Sequence, residues 1–367
     1  MTQLQSGLIY QCNIMDGDNN YHDIVTYTIN SNIDVEIFKK CVEQLVEEQP
    51  IFRTTYNLED YSENLQIVHR QADELPFSVF DLRGYNSEKE KNDAYERWFK
   101  EEESKPFNWR KTGLVKLYIH IMNDQQYKYS IGQHNSALDG WSLNKVHTFL
   151  FDKYFELKNG IKSEVKITDN SHNKHFIYLE KLAINSDEQK NYWGEKLKES
   201  SYFEIPRSPQ KKYSNEVVFK DIPLPKDYSN RLISLADSWN VPVKSLLMSA
   251  TVMFLSILTN KKDIITGYEL GGRPETPGSE DSLGLYLNTV PFRIEIENGV
   301  TWKEFIQKIY EAESELLPYR RYPMAQMKQD IGNKGMLFDT VFNFTHFYSL
   351  KTLQKHREFD LMNVRAA

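Results

Sequence analysis

The sequence predicts an α/β protein built as two successive halves. Three observations carry that expectation. Short strand-like runs alternate with amphipathic helical stretches on both sides of residues 158–175. Lys158-Asn159-Gly160 ends a helix, and residues 162–174 are polar and aperiodic, with Thr168-Asp169-Asn170-Ser171 as turn chemistry. A chain of 367 residues, 40% hydrophobic and 13% aromatic, can fill two cores. The expected domains are residues 1–165 and 166–367.

In the first half, strands are expected near 23–30, 65–69, 113–121 and 127–133, with helices near 34–48 and 88–104. Asn123-Asp124 supplies a hairpin turn between the last two strands. A helix over 143–155 follows, with Val146, Phe149, Leu150 and Tyr154 on one face. In the second half, helices are expected near 174–183, 187–199, 227–238, 242–258 and 301–317, and strands near 263–270, 286–296 and 338–346. Each α/β layer is too small to form a tunnel alone.

Composition narrows the function. A formal net charge of -7 argues against a nucleic-acid partner, because phosphate contacts need a basic face. Cys12 and Cys41 are the only cysteines, which suits a reducing compartment. Cys41 falls in the apolar stripe Phe38, Cys41, Val42, Leu45 and reads as a buried thiol. No signal-peptide pattern opens the sequence, and the apolar run 246–258 is too short for a bilayer. A cytoplasmic protein with no membrane partner is expected. No phosphate loop, Ser-His-Asp order or metal cluster is evident. His172 and His175 have a metal-like spacing but no third ligand nearby, so they read as surface histidines. Glu101-Glu102-Glu103 reads as a solvated helix face.

The most informative stretch is His134-Asn135-Ser136-Ala137-Leu138-Asp139-Gly140-Trp141-Ser142, on a loop from strand to helix. It closely resembles the His-His-x-x-x-Asp-Gly signature of nonribosomal peptide synthetase condensation domains, of the chloramphenicol acetyltransferase superfamily, with Asn135 at the second His. Residues 2–8 resemble that family's opening motif. Residues 46–56 resemble its Arg-His-Glu-x-Leu-Arg-Thr motif, keeping Arg53 and Thr54. Gly271-Gly272-Arg273-Pro274 and residues 283–293 resemble its Gly-x-Phe-Val-Asn-Thr-x-x-x-Arg segment, and residues 322–324, 338–344 and 360–365 resemble later segments.

The resemblance implies two chloramphenicol-acetyltransferase-like lobes in a V with a central tunnel. It also implies amide formation between substrates delivered as phosphopantetheine thioesters by donor and acceptor peptidyl carrier proteins, beside an adenylation domain. No cofactor bound by the chain itself is implied. Carried over, Asn135 takes the position of the catalytic His, Asp139 pairs with Arg293 of the other lobe, and Gly140 permits a tight turn. Asn288 orients strand backbone near the tunnel or caps a bulge, and Trp141 packs into the core.

An amide has no useful basicity near neutral pH, though it keeps one acceptor and two donors. Acid–base catalysis is worth about a hundred- to ten-thousandfold, so attenuated activity is expected. Neighbouring strand residues face opposite ways, so His134 should face away from Asn135 and brace the loop. Two other readings stay open. One is a non-catalytic platform docking carrier proteins or accessory enzymes, and the other is an ester-forming acyltransferase. Family members carry further strand and helix beyond the segment like residues 360–365, so an incomplete C-terminal lobe with exposed edges and marginal solubility is expected.

Overall fold

The computed structural model describes residues 1–14, 21–161, 165–168, 170–200, 204–207, 218, 220–332, 335–345 and 360–366. They form two compact units, each described by itself. The first comprises residues 1–178 and 273–286 with the described part of 345–367, and the second comprises 179–272 and 287–344.

The chain opens with α1 (Gln3–Ile14), β1 (His22–Ile29) and α2 (Val35–Glu48), then the short strands β2 (Thr54–Asn57), β3 (Leu65–Val68) and β4 (Phe77–Asp81). Next come α3 (Glu88–Glu103), the hairpin β5 (Val115–Asn123) and β6 (Gln126–His134), then α4 (Gly140–Lys158) and α5 (Ser171–Ile184). The later elements are α6 (Asp187–Leu197), α7 (Lys226–Ser238), α8 (Val243–Thr259), β7 (Asp263–Gly271), β8 (Leu287–Glu295), α9 (Trp302–Leu316), α10 (Met324–Asp330), β9 (Val341–Phe342) and β10 (Leu361–Ala366).

The first unit is a five-stranded sheet in the order β10-β1-β6-β5-β4, with only the β4–β5 pair parallel. Alternation along the strands gives it two apolar faces. On one, Tyr27, Ile29, Tyr129 and Ile131 meet Phe38, Cys41, Val42 and Leu45 of α2 and Val146, Leu150 and Phe151 of α4. On the other, Ile24, Tyr118 and Met122 meet Tyr95, Trp98 and Phe99 of α3. Side-chain caps start the helices: Asp34 accepts from Ile37 N at 3.0 Å, and Ser87 accepts from Glu90 N at 3.2 Å. Asn123 closes the hairpin by accepting from Gln125 N at 2.9 Å. Cys41 is fully buried, and burial pushes its thiol up to about 12.

In the second unit, β7 pairs antiparallel with β8 and parallel with β9. Trp193, Met248, Val252, Ile264, Val290, Phe292 and Ile309 fill its core. Phe338 lies against Gly267, where an added Cβ would come within 2.5 Å of its ring, so only glycine admits that approach. A capping box of Thr301 and Glu304 opens α9.

Several expectations change. Residues 338–346 hold an isolated bridge at Phe338 and the two-residue β9, because pairing with β7 covers just Val341 and Phe342; His346 lies outside the described residues. The polar stretch is shorter than expected, since α5 begins at Ser171 and Thr168 is tied to Glu48 O (2.9 Å) and Gln49 Nε2 (3.0 Å). Residues 162–164 and Asp169 of that stretch lie outside the described residues. Glu102 is no solvated acid: it is 2% exposed and bound by Lys105, Lys116 and Tyr118. Burial alone would raise its carboxyl, but these donors hold it down at about 2. His172 stands on α5, with Nδ1 3.2 Å from Thr276 Oγ1. Among the described residues, no single helix is long and apolar enough to cross a membrane.

Candidate active-site loop

Residues 135–139 link β6 to α4, and the elements around them hold every turn. The β1–β6 ladder sets His22 opposite His134 and Asp23 opposite Gln133. It runs one bond further, with Asn135 N donating to Tyr21 O at 2.9 Å. Ala137 N closes the turn onto His134 O at 2.8 Å, and Ala137 and Leu138 are buried in the core. Ser136 O accepts from Gln5 Nε2 of α1 at 3.0 Å and from Tyr56 Oη of β2 at 2.8 Å. Gln5, Tyr56, His22 and Gln133 are buried, so the loop backbone is firmly placed.

Because side chains alternate along a strand, His134 and Asn135 point to opposite faces. His134 is 1% exposed among the rings of Tyr21, Phe107 and Trp109. Its Nδ1 accepts from Ser136 N at 3.1 Å and lies 2.7 Å from Ser136 Oγ. The ring proton is thereby assigned to Nε2, which lies 3.3 Å from Cys12 Sγ. Burial holds this imidazole neutral, with its pKa lowered to about 3. Asn135, on the other face, lies beside Asp23 and lowers its carboxyl against the larger upward push of burial. The Asn135 Oδ1 is buried without a partner among the described residues.

Asp139 organises the loop's end. It caps α4 by accepting from Ser142 N at 2.7 Å, and its Oδ2 accepts from Tyr286 N at 3.1 Å. Its own N–H donates to Gly284 O at 3.0 Å. The ion pair expected with Arg293 is made instead by Arg273, whose Nη2 is 3.2 Å from Asp139 Oδ1. Arg273 belongs to the segment 273–286, which is part of the first unit, and the same nitrogen reaches Ser142 Oγ at 2.8 Å. Arg293 is engaged within the second unit, bound to Asp263 at 2.6 Å and to the carbonyls of Lys196 and Lys198 at 3.2 and 2.7 Å.

Two further expectations are corrected. Gly140 opens α4 with helical backbone, and the turn is made by Asp139 in extended conformation, so no left-handed glycine is needed here. Trp141 is 46% exposed rather than packed inside. As the second residue of α4 it turns outward, and its indole N–H donates to Glu280 O at 3.0 Å. Arg53 donates to the carbonyls of Val46 (2.9 Å) and His69 (2.6 Å), fastening α2 to the chain after β3. Asn288 donates to the carbonyls of Arg320 (2.8 Å) and Tyr322 (2.9 Å) within the second unit. Gln5, Tyr56, Asp23 and Arg273 escaped the sequence reading as site residues. Of these, Gln5, Tyr56 and Arg273 lie inside segments that already resembled family motifs.

Residues 1–366 match the condensation-domain family, and the chain belongs to it. It is 27% identical over 351 residues to the AMB antimetabolite synthetase AmbE of Pseudomonas aeruginosa, covering 95% of this chain but spanning only 16% of that synthetase. The fold is similar to the first condensation domain of the calcium-dependent antibiotic synthetase, with a TM-score of 0.77 at 16% identity, over 95% of this chain and 81% of that one. It is also similar to the starter condensation domain of rhizomide synthetase, solved as a mutant with C8-CoA and Leu-SNAC, with a TM-score of 0.75 at 16% identity, over 95% and 78% of the two chains.

Proposed function

We propose that this chain is a peptide-bond-forming condensation domain of a nonribosomal synthetase, attenuated by Asn135. The donor is an acyl or peptidyl thioester and the acceptor an aminoacyl thioester, each on the phosphopantetheine arm of a carrier protein. The amine nitrogen attacks the thioester carbonyl and forms the C–N bond. The C–S bond then breaks, leaving a free thiol on the donor carrier and an amide on the acceptor.

The observation that carries this reading is the position of Asn135. It stands at the end of β6, on the opposite strand face from a fully braced His134, where the resemblance places the catalytic imidazole. The molecules held in the structure of the mutant rhizomide domain, C8-CoA and Leu-SNAC, support the same chemical classes here. The ion pair of Asp139 and Arg273 holds the loop and takes no part in proton transfer.

The test loads donor and acceptor thioesters on carrier proteins and follows product by mass, comparing the protein with Asn135→His. The substitution should raise amide yield about a hundredfold or more. Carrier binding with no product from either protein would support a docking platform instead. An alcohol acceptor outperforming every amine would favour ester formation.

A further inference from the structure

We propose that the carboxyl of Asp23, held against the Asn135 side chain at the head of β1, is the proton acceptor for the amine in this chain. The inference rests on the condensation reading above and supplies the base that Asn135 cannot. Asp23 is opposite Gln133 in the β1–β6 register, and cross-strand partners share a face of the sheet. Asn135 is two residues beyond Gln133, and its N–H extends the ladder onto Tyr21 O at 2.9 Å, so its side chain joins that face. Three polar side chains therefore converge on one spot.

Their hydrogen-bond inventory is incomplete in an informative way. The Asn135 side chain lies beside the Asp23 carboxyl and draws it down. The Asn135 Oδ1 and the Gln133 Oε1 are both buried with no partner among the described residues. Two unpaired acceptors beside a carboxylate call for N–H donors, which an incoming amine provides. Asp23 is only partly exposed. Burial pushes its carboxyl up to about 6, against the lowering effect of the Asn135 side chain, and so brings it nearer to working pH than an ordinary carboxylate.

The surrounding groups leave this titration to Asp23. His22 and His134 occupy the opposite face and are kept neutral by burial, with pKa values lowered to about 4 and 3. Cys12 of α1 meets His134, and burial raises its thiol. Tyr21 is likewise raised by burial. On β10, Arg365 is opposite Thr26 and pairs with Glu96 at 2.6 Å. Among the described residues, no charged side chain bears on the Asp23 carboxyl.

The step balances within the substrates and this residue. As the C–N bond forms, the ammonium of the tetrahedral intermediate gives a proton to the Asp23 carboxylate. As the C–S bond breaks, the carbonyl re-forms and the departing thiolate takes that proton, restoring the carboxylate. Asn135 Oδ1 accepts a second N–H and orients the nitrogen.

The experiment is single-turnover amide formation on carrier-borne thioesters from about pH 5 to 9. It compares the protein with Asp23→Asn, Asn135→His and the double variant. The unaltered protein should gain rate through an apparent pKa near 6, the value of the carboxyl itself. Asp23→Asn should remove that limb and lower the rate about a hundredfold, whereas beside Asn135→His its effect should shrink to a few-fold. An unchanged rate and limb in Asp23→Asn overturns the proposal, as does an equal loss in both backgrounds, which marks a structural role. An active Asn135→His beside an inert parent overturns Asp23 as the base while leaving the condensation reading standing. Inactivity of both overturns the two together. If Asp23→Asn does not fold, carboxyl NMR of the unaltered protein decides. A titration that moves the Asn135 amide signals and coincides with the rate limb supports the proposal, and a mismatch overturns it.

Discussion

Arg273 Nη2 lies 3.2 Å from Oδ1 and 3.3 Å from Oδ2 of Asp139, and Nη1 of the same guanidinium takes the carbonyls of Ser279 and Ser282 at 2.9 and 2.5 Å. One side chain thus ties the loop after β6 to the segment 273–286. The two partners are 17% and 9% exposed, so each depends on the other for its solvation.

Removing the guanidinium should release the loop. Arg273→Ala leaves the Asp139 carboxylate without its cation, a loss of about 3 kcal/mol for a largely buried pair. Hydrogen exchange at the amides of Ser142, Gly284 and Tyr286, all bonded within this knot, should accelerate at least tenfold. Unchanged protection would show that Arg273 is dispensable there.

Arg293 should behave differently. Arg293→Ala frees Asp263 and the carbonyls of Lys196 and Lys198, so exchange should accelerate around β7 and the end of α6. The Ser142 and Tyr286 amides should keep their protection, and their acceleration would assign Arg293 to the Asp139 loop after all.

Acid should weaken the first unit through its buried histidines. Burial lowers His22 to about 4 and His120, His134 and His147 to about 3, below the ordinary histidine value in an unfolded chain. The unfolded chain therefore binds more protons below about pH 6.5, and stability present above that pH falls as pH drops toward the folded values. Each group contributes a loss of roughly 2 kcal/mol by about pH 5. Denaturant midpoints across this range should fall steeply, and His134→Gln should reduce the slope. A flat profile between about pH 7 and 5 would contradict neutral burial.

Asn288 is the chief polar tie of the chain after α9 to β8. Asn288→Ala leaves the Arg320 and Tyr322 carbonyls without their donor, a loss of about 1–3 kcal/mol. Denaturant unfolding followed by a second-unit probe such as the buried Trp193 should register it. An unchanged midpoint would count against this tie.

Much of this was legible from periodicity. Helices such as α2 and α9 carry apolar stripes and sharp caps, so their sequences alone define them. α1 lacks a clear stripe, while β4 and β10 are short strands whose identity comes from partners far along the chain. The motif marked Asn135 and Asp139 but not the partner of Asp139. An ion pair is a meeting in space, and Arg273 and Arg293 both lie in family-like segments. Asp23 showed no signal because an acid near a strand end reads as a solvated edge, and only the register with β6 brings it to Asn135. Glu102 was hidden in a run of acids, of which the helix buries only one.

The most direct measurement is the rate of amide formation by Asn135→His relative to the unaltered protein on identical carrier-borne substrates. An increase of about a hundredfold or more, with the same amide product, is the expected result. Equal rates, or no amide from a folded Asn135→His protein that still binds its carriers, would contradict the assignment of residue 135 to the catalytic position.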